Sequence, residues 1–213
     1  KHTSLYEARN LAIKKTKGKY IGFIDVDDLW EKNKLKQQIK LFNDEKTIVV
    51  YGNSWLKNEK NNKKKKFINY DVKSGYIYKD LIEKYNVGIL TSLIKKSLLK
   101  KSKVNFDNKY DIIGDYDFFI RLSKKYKFQF IKEPVATYRI HQQNLSFLKK
   151  EKQIEEFFHW IKKNKKNLTK EEYSKIMSRI YKLEFINLKF TKSFLNSFFY
   201  FVKYIEHIFS LKN

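Results

Sequence analysis

The residues with the clearest chemical potential are the carboxylates of Asp25-Val26-Asp27-Asp28, which directly follow the apolar stretch 20–24. Such a stretch predicts a buried strand, and ligands of open α/β sheets bind beyond the carboxyl ends of strands. Neighbouring carboxylates repel one another unless a cation neutralises them. Mg²⁺ or Mn²⁺ bridging to a diphosphate does this with oxygen ligands. The pattern therefore predicts a metal and diphosphate site at Asp25 and Asp27.

A competing interpretation assigns Asp28 a structural role. Asp28 would be the N-cap of the following helix, and Glu31, three residues later, would complete a capping box. The sequence favours this interpretation for Asp28, but not for Asp25 and Asp27.

Two further clusters carry groups that can transfer protons. Gly114-Asp115-Tyr116-Asp117 opens a predicted helix, where an aspartate is either a cap or a general base. His141 follows a predicted strand at the end of Tyr138-Arg139-Ile140-His141. Taken alone, the first cluster favours a cap, and the histidine favours a surface or structural role.

The elements that must position these residues alternate between helix and strand. Ser4 and Glu7 form a capping box that begins the first helix. Buried strands are predicted at 20–24 and 48–51, with a helix between them. This alternation of helix and strand predicts an α/β fold with a largely parallel sheet.

Other local patterns complete the prediction. The helix after Asp28 is expected to bury Leu35, Ile39 and Phe42. One strand is expected on each side of Pro134, at 128–131 and 135–140. After about residue 146 the pattern is helical only. We therefore predict a catalytic domain over 1–150 and a helical extension over 151–213.

Composition limits the class of protein. The 213 residues are 42% hydrophobic, which suffices for a core, and the absence of cysteine excludes disulfides, thiolate metal sites and a cysteine nucleophile. No run of 18 apolar residues is present. The net charge of +24 suggests anionic partners. However, lysine has A/T-rich codons, so that an A/T-biased genome would raise its share in any protein. Arginine, which proteins that bind phosphates and nucleic-acid bases favour, is scarce.

The motifs resemble the central block of family 2 glycosyltransferases, which have the GT-A fold. The first matching block is Ala8-Arg9-Asn10, Gly18-Lys19-Tyr20-Ile21 and Asp25-Val26-Asp27-Asp28-Leu29-Trp30. The second is Phe106-Asp107 with Gly114-Asp115-Tyr116-Asp117 and Arg121, and the third runs from Tyr138 to Ser146. The three blocks occur in the family's order and span residues 5 to 146.

The resemblance implies a Rossmann-like GT-A domain and a role for each matching residue. It implies a nucleotide-sugar donor, commonly a UDP-sugar, with Asp27 as metal ligand and Asp25 as ribose or second metal contact. Asp115 matches the catalytic base of an inverting single displacement. Arg9, Asn10 and His141 match the nucleotide-sugar side, and Asp117, Trp30 and Arg121 match the acceptor side.

Two departures from the family pattern stand out. Gly114 takes the place of a glutamate that precedes the base in the family. The chain also begins inside the helix before the carboxylate strand, so that the expected N-terminal β-α-β unit is missing. We therefore expect either a fragment or a truncated product, lacking part of the nucleotide pocket.

The resemblance also implies partners and a location. We expect a glycan or lipid-linked acceptor in cell-surface polysaccharide or lipopolysaccharide synthesis, and no nucleic acid. The expected location is cytoplasmic, peripheral to the inner face of the plasma membrane. The aromatic helix predicted at about 194–211 either packs on the protein or meets an anionic membrane, aided by Lys203 and Lys212.

Three alternatives remain open. A phosphohydrolase of the haloacid dehalogenase type also has a strand ending in D-x-D, but it requires a threonine where this chain has Leu29. A nucleic-acid-binding module would explain the charge, although the aromatic residues fall at core positions. An inactive family member would only bind or scaffold.

Overall fold

A computed structural model describes residues 3–190 and 202–204 of the chain. The chain divides into two compact units, Lys1–Asn144 and Leu145–Asn213. This division falls a few residues before the predicted one at 150.

The first unit is built on one mixed sheet. Within the described residues the sheet has six strands in the order β1-β5-β3-β6-β2, with β4 paired to β3. The strands are β1 (Tyr20–Gly22), β2 (Leu29–Trp30), β3 (Thr47–Asn58), β4 (Lys64–Lys66), β5 (Leu93–Lys95) and β6 (Lys127–Ile140). Helices interleave with these strands, which confirms the predicted α/β class.

The direction of pairing differs from the prediction of a largely parallel sheet. Among the strands described, only β3 and β6 pair in parallel, although theirs is the longest ladder. The pairs β1–β5, β2–β6, β3–β4 and β3–β5 are antiparallel. The direction of a strand depends on where its connection crosses the sheet, and the alternation of helix and strand does not encode that crossing.

The prediction of two strands around Pro134 is also wrong, because β6 runs through the proline without a break. Pro134 lies opposite Asn53 of β3, at an irregularity in the ladder. Proline is tolerated at such bulges because no ladder hydrogen bond needs its missing N–H. The Asn53 amide crosses the irregularity by donating to the carbonyl oxygen of Lys132 on β6 at 3.4 Å. It is held in place by Ile68, to whose carbonyl oxygen it donates at 2.7 Å and from whose N–H it accepts at 2.8 Å.

Five helices belong to this unit in the described residues: α1 (Leu5–Lys15), α2 (Lys34–Ile39), α3 (Tyr78–Glu83), α4 (Lys96–Ser102) and α5 (Gly114–Ser123). Ser4 accepts a hydrogen bond from the Glu7 N–H at 3.3 Å, which confirms the predicted N-cap. The inner residues Phe118, Phe119 and Leu122 of α5 are buried as predicted, and so is the stretch 48–51.

The inward face of α2 is polar, contrary to the prediction. Leu35 and Ile39 are 43% and 46% exposed, whereas Lys34 and Gln38 are buried. The Gln38 amide donates to the carbonyl oxygens of Val50 at 2.7 Å and Thr91 at 2.8 Å. A buried polar face is stable when its groups are hydrogen-bonded, and hydrophobic periodicity cannot detect one. The preceding strand is also shorter than predicted, since β1 ends at Gly22.

The second unit is helical in its described residues, as predicted. It contains α6 (Leu145–Leu148), α7 (Lys150–Asn164), a short 3₁₀ helix (Lys165–Asn167) and α8 (Lys170–Phe190). Thr169 and Glu172 cap α8 reciprocally, with bonds of 2.9 and 3.2 Å. Apart from 202–204, the predicted aromatic helix at 194–211 lies outside the described residues. No helix in the described part of the chain is long and apolar enough to cross a membrane.

Candidate functional site

The carboxylates Asp25, Asp27 and Asp28 lie on a tight loop between β1 and β2, hereafter the carboxylate loop (residues 25–28). The loop is closed by a hydrogen bond from the Asp28 N–H to the Asp25 carbonyl oxygen at 3.1 Å. Since β2 pairs with β6, with Leu29 opposite Thr137, the loop lies beside the end of β6. That strand end carries Arg139 and leads to His141, so the fold brings the first and third motifs together.

Asp28 anchors the carboxylate loop rather than capping a helix. Its buried carboxylate accepts a hydrogen bond from the Arg139 backbone N–H at 2.9 Å. The next helix begins only at Lys34, and Glu31 accepts from the Thr137 hydroxyl at 2.9 Å. The predicted capping box is therefore wrong. Burial raises the pKa of Asp28 to about 6, and the charges of Asp27 and Asp25 add to this.

Asp27 forms the central contact of the site with His141. Its carboxylate oxygen lies 2.9 Å from the histidine Nε2, and both side chains are partly exposed. The Gln143 N–H donates to the histidine Nδ1 at 3.2 Å. Because Nδ1 is an acceptor, the proton of the neutral ring belongs on Nε2, which donates to Asp27. An N–H group is therefore aimed at the place where the motif predicts a diphosphate.

Arg139 is a site residue that the sequence predictions missed. Its Nε donates to the Asp27 carbonyl oxygen, while its backbone N–H holds Asp28. A signal was present, because Arg139 stands beside His141 in the motif Tyr138-Arg139-Ile140-His141. Arg139 fixes the shape of the carboxylate loop and leaves the Asp27 carboxylate for His141.

Arg9 pairs with Asp25 of the carboxylate loop. Its Nη2 lies 3.2 Å from the Asp25 carboxylate, and its guanidinium lies over the rings of Tyr6 and Phe23 at 5.4 and 5.7 Å. The side chain of Arg9 is 8% exposed and that of Asp25 is 48% exposed. The described contacts of Arg9 thus orient Asp25, and its predicted contact with the nucleotide-sugar stays a prediction.

Asn10 joins α1 to the segment before α5. Its amide donates to the Phe106 carbonyl oxygen at 2.8 Å and accepts from the Phe106 N–H at 3.0 Å. The second motif is thereby tied to the first. These bonds engage both ends of the amide, so that the predicted role of Asn10 in nucleotide-sugar binding stays a prediction.

Asp115 lies in the first turn of α5, within electrostatic reach of Arg9 and Asp25. Burial raises its pKa, Arg9 and the Tyr116 N–H oppose this, and Asp25 adds to it. One carboxylate oxygen accepts from the Tyr116 N–H at 2.8 Å. A carboxylate with a raised pKa is a better general base than one in water. Asp115 therefore interacts electrostatically with Arg9 and Asp25, and its role as the catalytic base stays a prediction.

Tyr6 explains why glycine precedes this aspartate. The Tyr6 hydroxyl donates to the Ile112 carbonyl oxygen at 2.9 Å. A Cβ at Gly114 would lie 2.5 Å from the Tyr6 ring, which is closer than real Cβ contacts. The tyrosine occupies the space that a side chain at 114 would need, and it fixes the start of α5.

The residues predicted for the acceptor side make structural contacts. Trp30 donates to the Leu90 carbonyl oxygen at 3.2 Å. The buried Asp117 accepts from Arg121 at 2.6 Å, and the same guanidinium donates to the Asn105 carbonyl oxygen at 2.6 Å. These contacts attach α5 to the preceding segment, and contact with an acceptor stays a prediction.

The donor set fits a divalent cation that a substrate helps to hold. Among the described residues, no group of three or more histidine, aspartate or glutamate side chains forms a metal site by itself. Mg²⁺ sites commonly use only one or two carboxylates, with substrate phosphates completing the coordination. Asp25 and Asp27 supply two partly exposed carboxylates for such a cation. Burial is the main cause of the raised pKa of Asp28, and the neighbouring Asp27 and Asp25 charges raise it further.

Comparison with known proteins agrees with this geometry. Residues 1–104 match the sequence model described as glycosyl transferase family 2. The chain is 31% identical over 173 residues to an uncharacterized glycosyltransferase of Methanocaldococcus jannaschii, covering 78% of this chain and 58% of that one.

Two other relatives have more specific names. The chain is 33% identical over 104 residues to the UDP-Glc:alpha-D-GlcNAc-diphosphoundecaprenol beta-1,3-glucosyltransferase WfgD of Escherichia coli, covering 49% of this chain and 40% of that one. It is 28% identical over 143 residues to the amylovoran biosynthesis glycosyltransferase AmsB of Erwinia amylovora, covering 62% and 46%. The chain thus spans about half the length of the relatives it matches. Its three motifs, the site they build and these matches agree: the chain belongs to glycosyl transferase family 2.

Proposed function

We propose that this chain carries the acceptor-activating and diphosphate-binding part of an inverting glycosyltransferase that moves a sugar from a nucleotide-sugar to a hydroxyl group. One observation carries the proposal. Asp27 with its partner His141, Asp25 with its partner Arg9, and the raised-pKa Asp115 converge from three motifs.

The carboxylate loop and His141 form the donor side. Mg²⁺ or Mn²⁺ held by Asp27 and Asp25 would offset the negative charge that develops on the departing diphosphate. The Nε2–H of His141, which donates to Asp27, is placed to donate to a diphosphate oxygen instead. Arg139 and the buried Asp28 keep the loop in one shape, so that these groups are preorganised.

Asp115 is the base in this proposal. Its carboxylate takes the proton of the acceptor hydroxyl while the acceptor oxygen forms a bond to the anomeric carbon. The bond from that carbon to the diphosphate oxygen breaks on the opposite face, and the diphosphate leaves with the electron pair. A single displacement of this kind inverts the anomeric configuration. The raised pKa of Asp115 favours the proton transfer.

The names of two relatives support a choice of substrates. The name of WfgD specifies a UDP-sugar as donor and a diphosphoundecaprenol-linked sugar as acceptor. AmsB is named for amylovoran biosynthesis. We propose a UDP-sugar as donor and a glycan or lipid-linked acceptor in cell-surface polysaccharide synthesis. Such an acceptor would place the enzyme in the cytoplasm, at the inner face of the plasma membrane.

The test is sugar transfer by the protein and two variants, Asp27→Ala and Asp115→Asn. A panel of UDP-, GDP- and dTDP-sugars is offered with Mg²⁺ or Mn²⁺ and a lipid-linked diphosphate acceptor, and products are identified by mass spectrometry. Both variants are expected to lose transfer by at least about 100-fold, whereas the exposed control Lys14→Met keeps it. Near-normal transfer by either variant contradicts the assigned roles.

A further inference from the structure

A lysine-lined cavity lies away from the carboxylate loop. It has a volume of about 510 Å³ and is lined by lysines from two segments of the chain, together with Ser97. The lysines are Lys17, Lys19, Lys95, Lys96 and Lys100. The cavity, hereafter the lysine pocket, has no acidic residue in its lining.

The fold itself brings these lysines together. The loop 17–19 connects α1 to β1, whereas the other lysines lie at the junction of β5 and α4. Antiparallel pairing puts Tyr20 of β1 opposite Lys95 of β5, and the Lys96 N–H donates to the Lys19 carbonyl oxygen at 3.0 Å. A lysine-rich composition makes long basic runs common, but it does not by itself bring distant lysines around one concave site.

The charge of the lysine pocket is not balanced by the protein. The Lys96 ammonium donates to the Thr16 carbonyl oxygen at the end of α1. Within the described residues, no ion pair includes any of the five lysines. Lysines elsewhere do find carboxylates, such as Lys127 with Asp44 at 2.6 Å. Several ammonium groups around one cavity repel each other, and an anion between them relieves this repulsion.

The lysine pocket is separate from the proposed catalytic site. It opens at the amino-terminal end of β1, whereas the carboxylate loop follows the carboxyl-terminal end of the same strand. A diphosphate bound at Asp25 and Asp27 is therefore not the ligand of this pocket.

We propose that the lysine pocket is a second anion site, which binds phosphate groups. Ammonium groups form strong charge-assisted hydrogen bonds to phosphate oxygens, and the Ser97 hydroxyl provides a further donor. A soluble diphosphate and a phospholipid headgroup share this chemistry.

Calorimetric titration with sodium pyrophosphate tests the site in a buffer containing EDTA, which keeps metal from the carboxylate loop. The pocket variant is Lys17→Gln/Lys19→Gln/Lys100→Gln. The matched control is Lys60→Gln/Lys63→Gln/Lys65→Gln, which removes three other exposed lysines at the β3–β4 turn and on β4. The pocket variant is expected to bind pyrophosphate at least about tenfold more weakly, with the control within about twofold of the parent.

Sedimentation with phosphatidylglycerol vesicles, against phosphatidylcholine as reference, identifies the source of the phosphate. If the pocket variant alone loses both pyrophosphate and vesicle binding, the source is a lipid headgroup. If it alone loses pyrophosphate binding and keeps vesicle binding, the source is a soluble compound. Equal losses in both variants overturn the proposal, because binding then follows net charge alone. Unchanged pyrophosphate binding in both variants also overturns it, because the anion then binds elsewhere. Equal melting temperatures of the two variants verify that both are folded.

Discussion

The charged side chains at the two ends of β1 differ in whether the protein itself provides their partners. At the carboxyl-terminal end, Asp25, Asp27 and Asp28 are each held by a named partner: Arg9, His141 and the Arg139 backbone. At the amino-terminal end, the lysine pocket brings positive charges together without a carboxylate in its lining. Charges held by partners have fixed positions, which chemistry at a reacting centre requires. Charges without such partners leave room for an external anion, which suits binding.

The substitution Arg9→Met is expected to have the largest effect, because it removes a partner at the carboxylate end of β1. Among the described residues, the buried guanidinium is the only side chain that hydrogen-bonds the Asp25 carboxylate, so its loss leaves the carboxylate without support. Loss of a partner that orients a ligand typically lowers activity by about 10- to 100-fold. Arg9 also lowers the pKa of Asp115. The acidic limb of the transfer profile should therefore move to higher pH.

The measurement is sugar transfer as a function of pH, with Lys14→Met as the control. Lys14 lies on the same helix and is exposed, so that the change in net charge is identical. An activity loss without any shift of the profile would show that Arg9 acts only on folding or on Asp25.

Gly114→Ala tests how rigidly the base is held. The new methyl would lie 2.5 Å from the Tyr6 ring, and overpacking of this kind costs about 1–3 kcal/mol of unfolding free energy. In a Tyr6→Ala background the ring is absent and the penalty should vanish. Urea unfolding of the two single variants and the double variant measures this coupling. If the two changes are additive, the contact has no energetic role.

Lys34 provides a third case for this comparison, because its ionisable group is buried in the core. Its ammonium lies 2.5 Å from the Gln38 amide oxygen and 5.0 Å from the centre of the Trp30 ring. Burial lowers the pKa of Lys34 from 10.5 to about 7. Between these values the unfolded chain binds more protons than the folded one, so the contribution of Lys34 to stability rises with pH. Below pH 7 the cost of burying the charge is present in full.

Lys34→Met removes this dependence. The variant should be most stable relative to the parent below pH 7. This difference in unfolding free energy should fall as pH approaches 10, by at most about 1.4 kcal/mol per pH unit. Unfolding of the parent, this variant and the exposed control Lys36→Met is compared across that range. A difference that does not change with pH would contradict the lowered pKa.

The site was largely predictable where chemistry is local in sequence. Carboxylates that follow a strand can be identified from the chain, and the motifs alone group Asp27, His141 and Asp115 as candidate site residues. Asp28 was assigned wrongly because its partner, the Arg139 backbone, is 111 positions away along the chain. The same limit applies to Tyr6, whose effect on Gly114 depends on packing between α1 and α5.

The fold was predictable in class but not in detail. Helix and strand alternation identified the α/β architecture, whereas strand direction depends on connections that leave no local pattern. The polar face of α2 escaped detection because Lys34 and Gln38 are satisfied by partners on other elements. The strand break expected at Pro134 did not occur because Asn53, on another strand, supports the irregularity.

The contact between Tyr6 and Gly114 also restricts how this sequence can change over generations. A glutamate at position 114 would clash with the tyrosine ring that fills the adjacent space. A lineage that acquires one must first acquire a smaller residue at position 6, since the reverse order passes through the clash. The order of the two substitutions is thereby constrained, and each residue sets the range of viable mutations at the other.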